Sequence, residues 1–255
     1  MVAPLFPWPG GKRRLSKYLL PLFENVEHTC YCEPFSGAAA MLFARPEPAK
    51  AEIINDINRE LITLYRVVAN HLDEFVKQYR WALSSREMFR WCELQHVDTL
   101  TDIQRSARFF YLQTHAFGGK VSSRSFGTST TSGPRLNLLR LEEALSAVHL
   151  RLSRVTIECL PWEACMRKYD RPHTLFFCDP PYFETEGYGV DFPLDEYTRL
   201  ADALRTLKGH AILTINDHPA MRKAYAGFKV FAVPVSYTLA GNGKGKAAKE
   251  LVVST

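Results

Sequence analysis

The chain of 255 residues lacks several features, each of which would have fixed a function class. No apolar run reaches the ~20 residues that a membrane-spanning helix needs, so no membrane partner is expected. There is no CxxC pair and no histidine pair at zinc-ligand spacing, so no metal is expected either. An HxE with a PCxxC, the signature of zinc deaminases, is also missing. No GxxxxGK[ST] loop is present, which excludes the P-loop nucleotide binders. The six cysteines (Cys30, Cys32, Cys92, Cys159, Cys165 and Cys178) form no framework. Cys30 and Cys32 stand too close for an ordinary disulfide, and reduced thiols are expected. The first residues lack the basic-then-apolar order of a secretory signal, which points to the cytoplasm. No internal repeat is found.

What is present is ordinary in bulk: 46% hydrophobic and 23% charged residues. This composition and length suit one sizeable core with a smaller inserted domain. The net charge of +5 is mild, and its placement says more than its size. Residues 117–137 carry Lys120, Arg124 and Arg135 among eight Ser and Thr, with no acid. Residues 240–249 carry Lys244, Lys246 and Lys249 among three glycines, again with no acid. Taken alone, both are solvated surface loops.

The periodicity divides the chain. Short apolar runs at 29–33 and 51–56, separated by a Pro–Gly turn and a run of helix formers, predict the opening of a nucleotide-binding α/β fold. From residue 57 to about 115 the period becomes helical, with Leu61, Leu64, Val68, Leu72 and Phe75 three and four apart. Ser85 and Thr101 or Asp102 stand where helix caps belong. A further helix is predicted over about 138–152. Such a helical stretch is too long for a connection and predicts an inserted domain. Strand-like runs return at 155–159, 175–179, 211–215, 228–235 and 251–254. The expected fold is a Rossmann-like, doubly wound α/β sheet: 1–56 and 153–255 form one domain, 57–152 a mostly helical one.

Three segments carry chemistry. In Phe176-Phe177-Cys178-Asp179-Pro180-Pro181-Tyr182 an apolar strand runs into an acid, two prolines and an aromatic. Asp179 would stand at the carboxyl end of a strand, where open α/β sheets bind ligands. The prolines fix φ and donate nothing, so the turn is rigid and its carbonyls can face outward. Such a corner can read an aromatic amine. Asp179 and the Pro180 carbonyl would accept the amine hydrogens while Tyr182 stacks on the ring, and positioning and electrostatics would do the rest. An ordinary proline turn is the plainer alternative. The second segment, Glu33-Pro34-Phe35-Ser36-Gly37-Ala38-Ala39-Ala40, ends a strand in a glycine turn that lets backbone approach a ligand. Asp56 follows Gly37 by nineteen residues, placed either to accept from ribose hydroxyls or to cap the next helix. In the third, Trp8-Pro9-Gly10-Gly11-Lys12, the glycines free a loop to fold over a ligand, and Lys12 could pair with a carboxylate or phosphate.

The order WPGGK, EPFSGAAA, NDIN, helical stretch, FCDPPY, LTIND and ELVVS resembles the bacterial and phage DNA adenine methylase (Dam) family over nearly the whole chain. The resemblance implies an S-adenosylmethionine-dependent enzyme that methylates the exocyclic amine of adenine in double-stranded DNA, site-specifically or with relaxed specificity. It implies cofactor-binding roles for Trp8, Gly10, Gly11, Lys12, Phe35, Gly37, Asp56 and Asp179. Asp179, Pro180, Pro181 and Tyr182 become the catalytic motif, and residues 160–163 border the cofactor's adenine. Residues 117–137 take the place of the recognition hairpin, which gives Lys120, Arg124 and Arg135 possible DNA contacts. Lys244 and Lys246 fall in a mobile loop with the same potential. Phe117 or Phe126 either stacks on bases or is buried. A base inside a duplex must be flipped out to reach Tyr182. An enzyme methylating RNA or protein amides is the nearest alternative, and Asp before the prolines and the N-terminal arm argue against it.

Overall fold

A computed structural model describes residues 2–237 and 246–255; of 236, 237 and 246–248 it describes the backbone alone. Seven strands form one sheet: β1 (Cys30–Glu33), β2 (Ala51–Asn55), β3 (Val155–Glu158), β4 (Thr174–Cys178), β5 (His210–Asn216), β6 (Lys229–Tyr237) and β7 (Lys246–Ser254). Their order is β3-β2-β1-β4-β5-β7-β6. The first five pair in parallel with one another, and β7 runs antiparallel between β5 and β6. The chain passes outward from β1 to β3 and then returns to the other side of β1 with β4. That return makes the β1–β4 boundary a topological switch point, where such sheets open a crevice at their carboxyl ends.

Helices α1 (Ser16–Glu24) and α2 (Ala40–Ala44) flank β1 in sequence. Between β2 and β3 lie α3 (Arg59–Asn70), α4 (Leu72–Lys77), α5 (Arg86–Leu94), α6 (Asp102–His115) and α7 (Leu138–Leu152). Helices α8 (Trp162–Tyr169), α9 (Leu194–Arg205) and α10 (Pro219–Ala224) separate the later strands. Strands β1 and β4 are buried throughout, which is why CYCE and TLFFC read as continuous runs and not as alternating ones. Helix starts follow side-chain chemistry. Asn58 caps α3, Ser85 caps α5, and Thr101 with Gln104 forms a capping box on α6. Asp56 is therefore not the cap of α3; the true cap lies two residues on.

Each sheet face carries its own apolar cluster. On one face Phe23, Tyr31, Phe177 and Val252 continue without a break into Leu64, Phe109 and Leu145 of the helices between β2 and β3. On the other, Cys32, Ile53, Phe176 and Leu213 meet Cys165 and Leu200 of α8 and α9. A sheet covered on both faces leaves only its ends for a site. Of the acid-free stretch 240–249, residues 246–249 belong to a strand. Strand β7 begins at Lys246, which pairs opposite Tyr237, and Lys249 pairs opposite Pro234, because the antiparallel ladder takes up their backbone groups. Lys244 lies outside the described residues.

One buried ionic group ties helix α7 to the sheet. Glu52 of β2 accepts from both terminal nitrogens of Arg151, at 2.5 and 2.8 Å, and Arg151 also donates to the Leu42 carbonyl. The Nε of Arg45 stands 3.6 Å from the same carboxylate. Removing one partner strands a buried charge, and that costs more than the pair itself contributes. Arg151→Met is expected to lower stability by about 3 kcal/mol, read as a lower urea midpoint at unchanged slope.

Candidate active site

At the carboxyl ends of β1, β2 and β4 the sheet opens into a cavity of about 440 Å³, within the range of small-molecule sites. Trp8, Gly11, Lys12, Phe35, Gly37 and Asp56 line it, and so do Asp179 and Pro181. Three of the residues named from sequence, Gly10, Pro180 and Tyr182, stand behind the wall and do not line it.

Asp179 follows β4 directly. Its Oδ1 is 2.8 Å from the Lys12 ammonium and accepts from the Thr214 hydroxyl of β5 at 2.9 Å. Burial pushes the Asp179 carboxyl up to about 6, while the charge and hydrogen bond of Lys12 and the Thr214 hydroxyl pull it down and Glu250 pushes it up. Lys12 was expected to pair with a carboxylate or phosphate. The carboxylate it meets is the protein's own Asp179, because the arm folds the ammonium into the interior, where an unpaired charge is costly. The Gly10 carbonyl accepts a second hydrogen from Lys12 at 2.6 Å, and the ammonium lies 4.5 Å over the Tyr182 ring. Tyr182 was expected to stack on the target base; here the ring is buried and Lys12 covers it.

The proline turn is held at every step. The Pro181 carbonyl accepts from the Tyr197 phenol at 2.6 Å. Asn216 of β5 accepts from the Phe183 N–H and donates to the Phe183 carbonyl. The Tyr182 phenol donates to Glu250 of β7. Rigidity comes from these three neighbours as much as from the prolines.

The arm is seated on the glycine turn. Gly37 has φ +47°, and a Cβ there would stand 2.5 Å from the Trp8 indole nitrogen. The glycine thus provides both a left-handed backbone and the space that Trp8 fills. Its N–H donates to Asp56 Oδ2 while the Asn58 N–H donates to Oδ1. Burial raises the Asp56 carboxyl above its ordinary range, opposed by these backbone donors. Each oxygen keeps acceptor capacity toward the cavity. Asn55 joins the neighbouring loops, donating to the Pro34 and Leu160 carbonyls and accepting from the Leu160 N–H. Leu160, Pro161 and Trp162 thereby form a wall of the cavity.

The basic residues of 117–137 are placed unequally. Lys120 is half-buried, its stem 3.2 Å from where Gly187 would carry a Cβ. The Arg135 guanidinium donates to the Ala116 carbonyl. Arg124 packs over the Phe109 ring at 5.5 Å, and desolvation lowers its pKa, so it is turned toward the helices and away from solvent. Phe126 takes the buried alternative, stacked on His115 and edge-on to Phe89.

Residues 8–239 match the family described as D12 class N6 adenine-specific DNA methyltransferase. The chain belongs to that family. It is similar to the Retron Ec67 DNA adenine methylase of Escherichia coli, 26% identical over 98% of this chain and 90% of that one. Similar too is the type II methyltransferase M.CviBI of Paramecium bursaria Chlorella virus NC1A, at 24% over 88% and 87%. The DNA adenine methylase of Haemophilus influenzae is 24% identical over 98% and 92%. The chain is an enzyme, an adenine-specific DNA methyltransferase with S-adenosylmethionine as its methyl donor.

The cavity suits such a donor. Ser36, at the glycine turn, has a buried hydroxyl with no hydrogen-bond partner and lines the space. Opposed to it are apolar walls from Phe35, Trp162 and Phe192. Glu33 also lines it, pushed up to about 8 by burial despite hydrogen bonds from the Tyr31 phenol and the Leu42 N–H. Sequence reasoning missed the parts played by Glu33, Ser36, Asn55, Thr214, Asn216 and Glu250. All six lie in quoted strings, EPFSGAAA, NDIN, LTIND and ELVVS, which marked position without revealing contact. Among the described residues no cluster of three acids, histidines or cysteines is arranged for a metal ion. No described helix is long and apolar enough to cross a membrane. Gly37→Ala is expected to expel Trp8 and weaken S-adenosylmethionine binding about tenfold or more, measured by calorimetry on a variant whose circular dichroism is unchanged.

Proposed function

We propose that the enzyme methylates the N6 amine of an adenine turned out of duplex DNA, with Asp179, Pro180, Pro181 and Tyr182 as its methyl-transfer centre. The observation that carries this reading is the Asp179 carboxylate. It stands at the end of the cavity, on a turn clamped by Tyr197, Asn216 and Glu250. Residues 1–56 and 153–255 bind the donor and do the chemistry; residues 57–152 meet the DNA. Asp56 accepts from ribose hydroxyls, and the wall at Leu160 to Trp162 borders the adenine ring. Trp8, Gly11, Lys12, Phe35 and Gly37 close the rest, and Gly10 supports Lys12 from behind.

When bound, S-adenosylmethionine supplies a methyl group on a sulfonium that leaves as a neutral thioether. The adenine amine is a poor nucleophile because its lone pair is spread into the ring. Asp179 and the Pro180 carbonyl accept its two hydrogens, which localises the pair on nitrogen, and Asp179 takes the proton shed after transfer. Admitting a base against the Tyr182 ring requires Lys12 to move off it, since the ammonium now lies there. Lys120 and Arg135 are the residues of 117–137 best placed to reach phosphate or base edges. Arg124 supports the helices instead. The segment is short, which favours a short or relaxed target site; mapping methylated adenines on plasmid DNA by long-read sequencing tests this.

Asp179→Ala is expected to abolish transfer of labelled methyl to DNA while keeping much of the DNA affinity, because phosphate contacts carry affinity separately. Unchanged turnover in that variant, or label on RNA and none on DNA, overturns the reading. The acid form of Asp179 is a weaker acceptor of the amine hydrogens and cannot take the proton shed after transfer. Turnover with the donor well below its KM should therefore fall as pH drops through about 6. Lys12→Met removes the charge that holds Asp179 down, so the same limb should move upward by about one to three units.

A further inference from the structure

We propose that Glu250 is a positioning residue of the methyl-transfer centre, holding the Tyr182 phenol and the Lys12 ammonium in one arrangement around Asp179. The inference rests on the assignment of Asp179 and Tyr182 made above.

Strand alternation makes Glu250 conspicuous. It shares a sheet face with Val252, two residues along β7, and Val252 is part of the apolar cluster with Phe177. A carboxylate on that face, only 1% exposed, is costly unless other groups stabilise it. The stabilising groups are those of the site. The Tyr182 phenol donates to Glu250 Oε2, and the same oxygen is 4.0 Å from Lys12 Nζ. Lys12 in turn touches Asp179 at 2.8 Å. The pairing register sets this reach. Glu250 stands opposite Asn216 of β5, the residue that grips the Phe183 backbone, so β5 and β7 clamp adjacent residues of the proline turn from one level of the sheet.

Several charged and polar groups face this cluster. Lys12 comes from the arm, Asp179 and Tyr182 from the turn after β4, and Thr214 and Asn216 from β5. Glu33 comes from β1, and Tyr188, with its ring centroid 6.4 Å from that of Tyr182, comes from the following loop. Val233 of β6 is the neighbour on the other side of Glu250. Glu250 therefore acts in two ways. It fixes the plane of the Tyr182 ring through the phenol, and its negative charge opposes that of Asp179, helping to push the Asp179 carboxyl up.

The test compares Glu250→Gln, Tyr182→Phe and the double variant in single-turnover methylation of duplex DNA, with Asp179→Ala alongside. Glu250→Gln keeps the shape and an acceptor for the phenol, so folding is preserved and checked by circular dichroism. Each single change is expected to lower the methylation rate about tenfold, the order lost when a hydrogen bond to a charged group is removed, as in Tyr182→Phe, or when its acceptor loses the charge, as in Glu250→Gln. The double variant should lose no more than the worse single one, because both act through the same bond. The acidic limb of the pH profile should move downward in Glu250→Gln, opposite to its movement in Lys12→Met. Additive losses, or a limb that stays in place, overturn the positioning role. Wild-type rates in Glu250→Gln with an inactive Asp179→Ala sink this inference alone. Full turnover in Asp179→Ala sinks the reading beneath it.

Discussion

The contact between Lys12 and Asp179 is the interaction on which the rest of the site depends. A carboxylate at the end of a buried strand is unstable as a charge, and an ammonium at the end of a glycine-rich arm is equally unstable once folded inside. Each makes the other tolerable. The balance is incomplete, since desolvation still leaves Asp179 pushed up to about 6. A carboxyl pushed up to that value can take up a proton more readily than an ordinary aspartate, as the proposed transfer from an aromatic amine requires. The same contact fastens the N-terminal arm over the cavity, so charge compensation and closure of the site are one event.

The sheet explains why these parts meet at all. Reversal of the strand order between β1 and β4 opens a crevice, and the loops after β1, β2 and β4 all end there. Loops alone would be loose, and they are not left alone. Asn55 joins the β1 and β3 loops, Gly37 accepts the weight of Trp8, and Thr214 and Asn216 brace the proline turn from β5. The antiparallel β7 adds one contact that a purely parallel sheet could not, bringing Glu250 under Tyr182.

Much of this was legible in the sequence, and the divide between legible and hidden is physical. Strands buried on both faces announce themselves as apolar runs, and caps such as Asn58 and Thr101 follow local rules, although Asp56 competed with Asn58 for the same role. The motif residues were readable because their chemistry is carried by adjacent side chains, as in Asp179 to Tyr182. What was hidden were the partners of those residues. Thr214 is 35 positions from Asp179, and Glu250 is 68 from Tyr182. The partner of Lys12 was hidden for that reason: a basic residue on a flexible arm gives no sign that the carboxylate it meets is a buried acid of the same chain. The packing of Arg124 was hidden similarly, since a Ser-rich, acid-free segment looks solvated until Phe109 is found beneath it.

The segment after the proline turn joins the two halves of the molecule. The Gly187 carbonyl accepts from the Val121 N–H at 2.7 Å, and the missing Cβ atoms of Gly187 and Gly189 make room for Lys120 and Val121. Two residues earlier in that stretch, Gly119 lies so close to Pro7 that a Cβ would stand 3.0 Å from its backbone, and Gln113 donates to the Pro7 carbonyl. The foot of the basic segment thus touches both covers of the cavity: the arm that carries Lys12 and the loop that carries Tyr188. Glycines are needed at these contacts because side chains would hold the pieces apart.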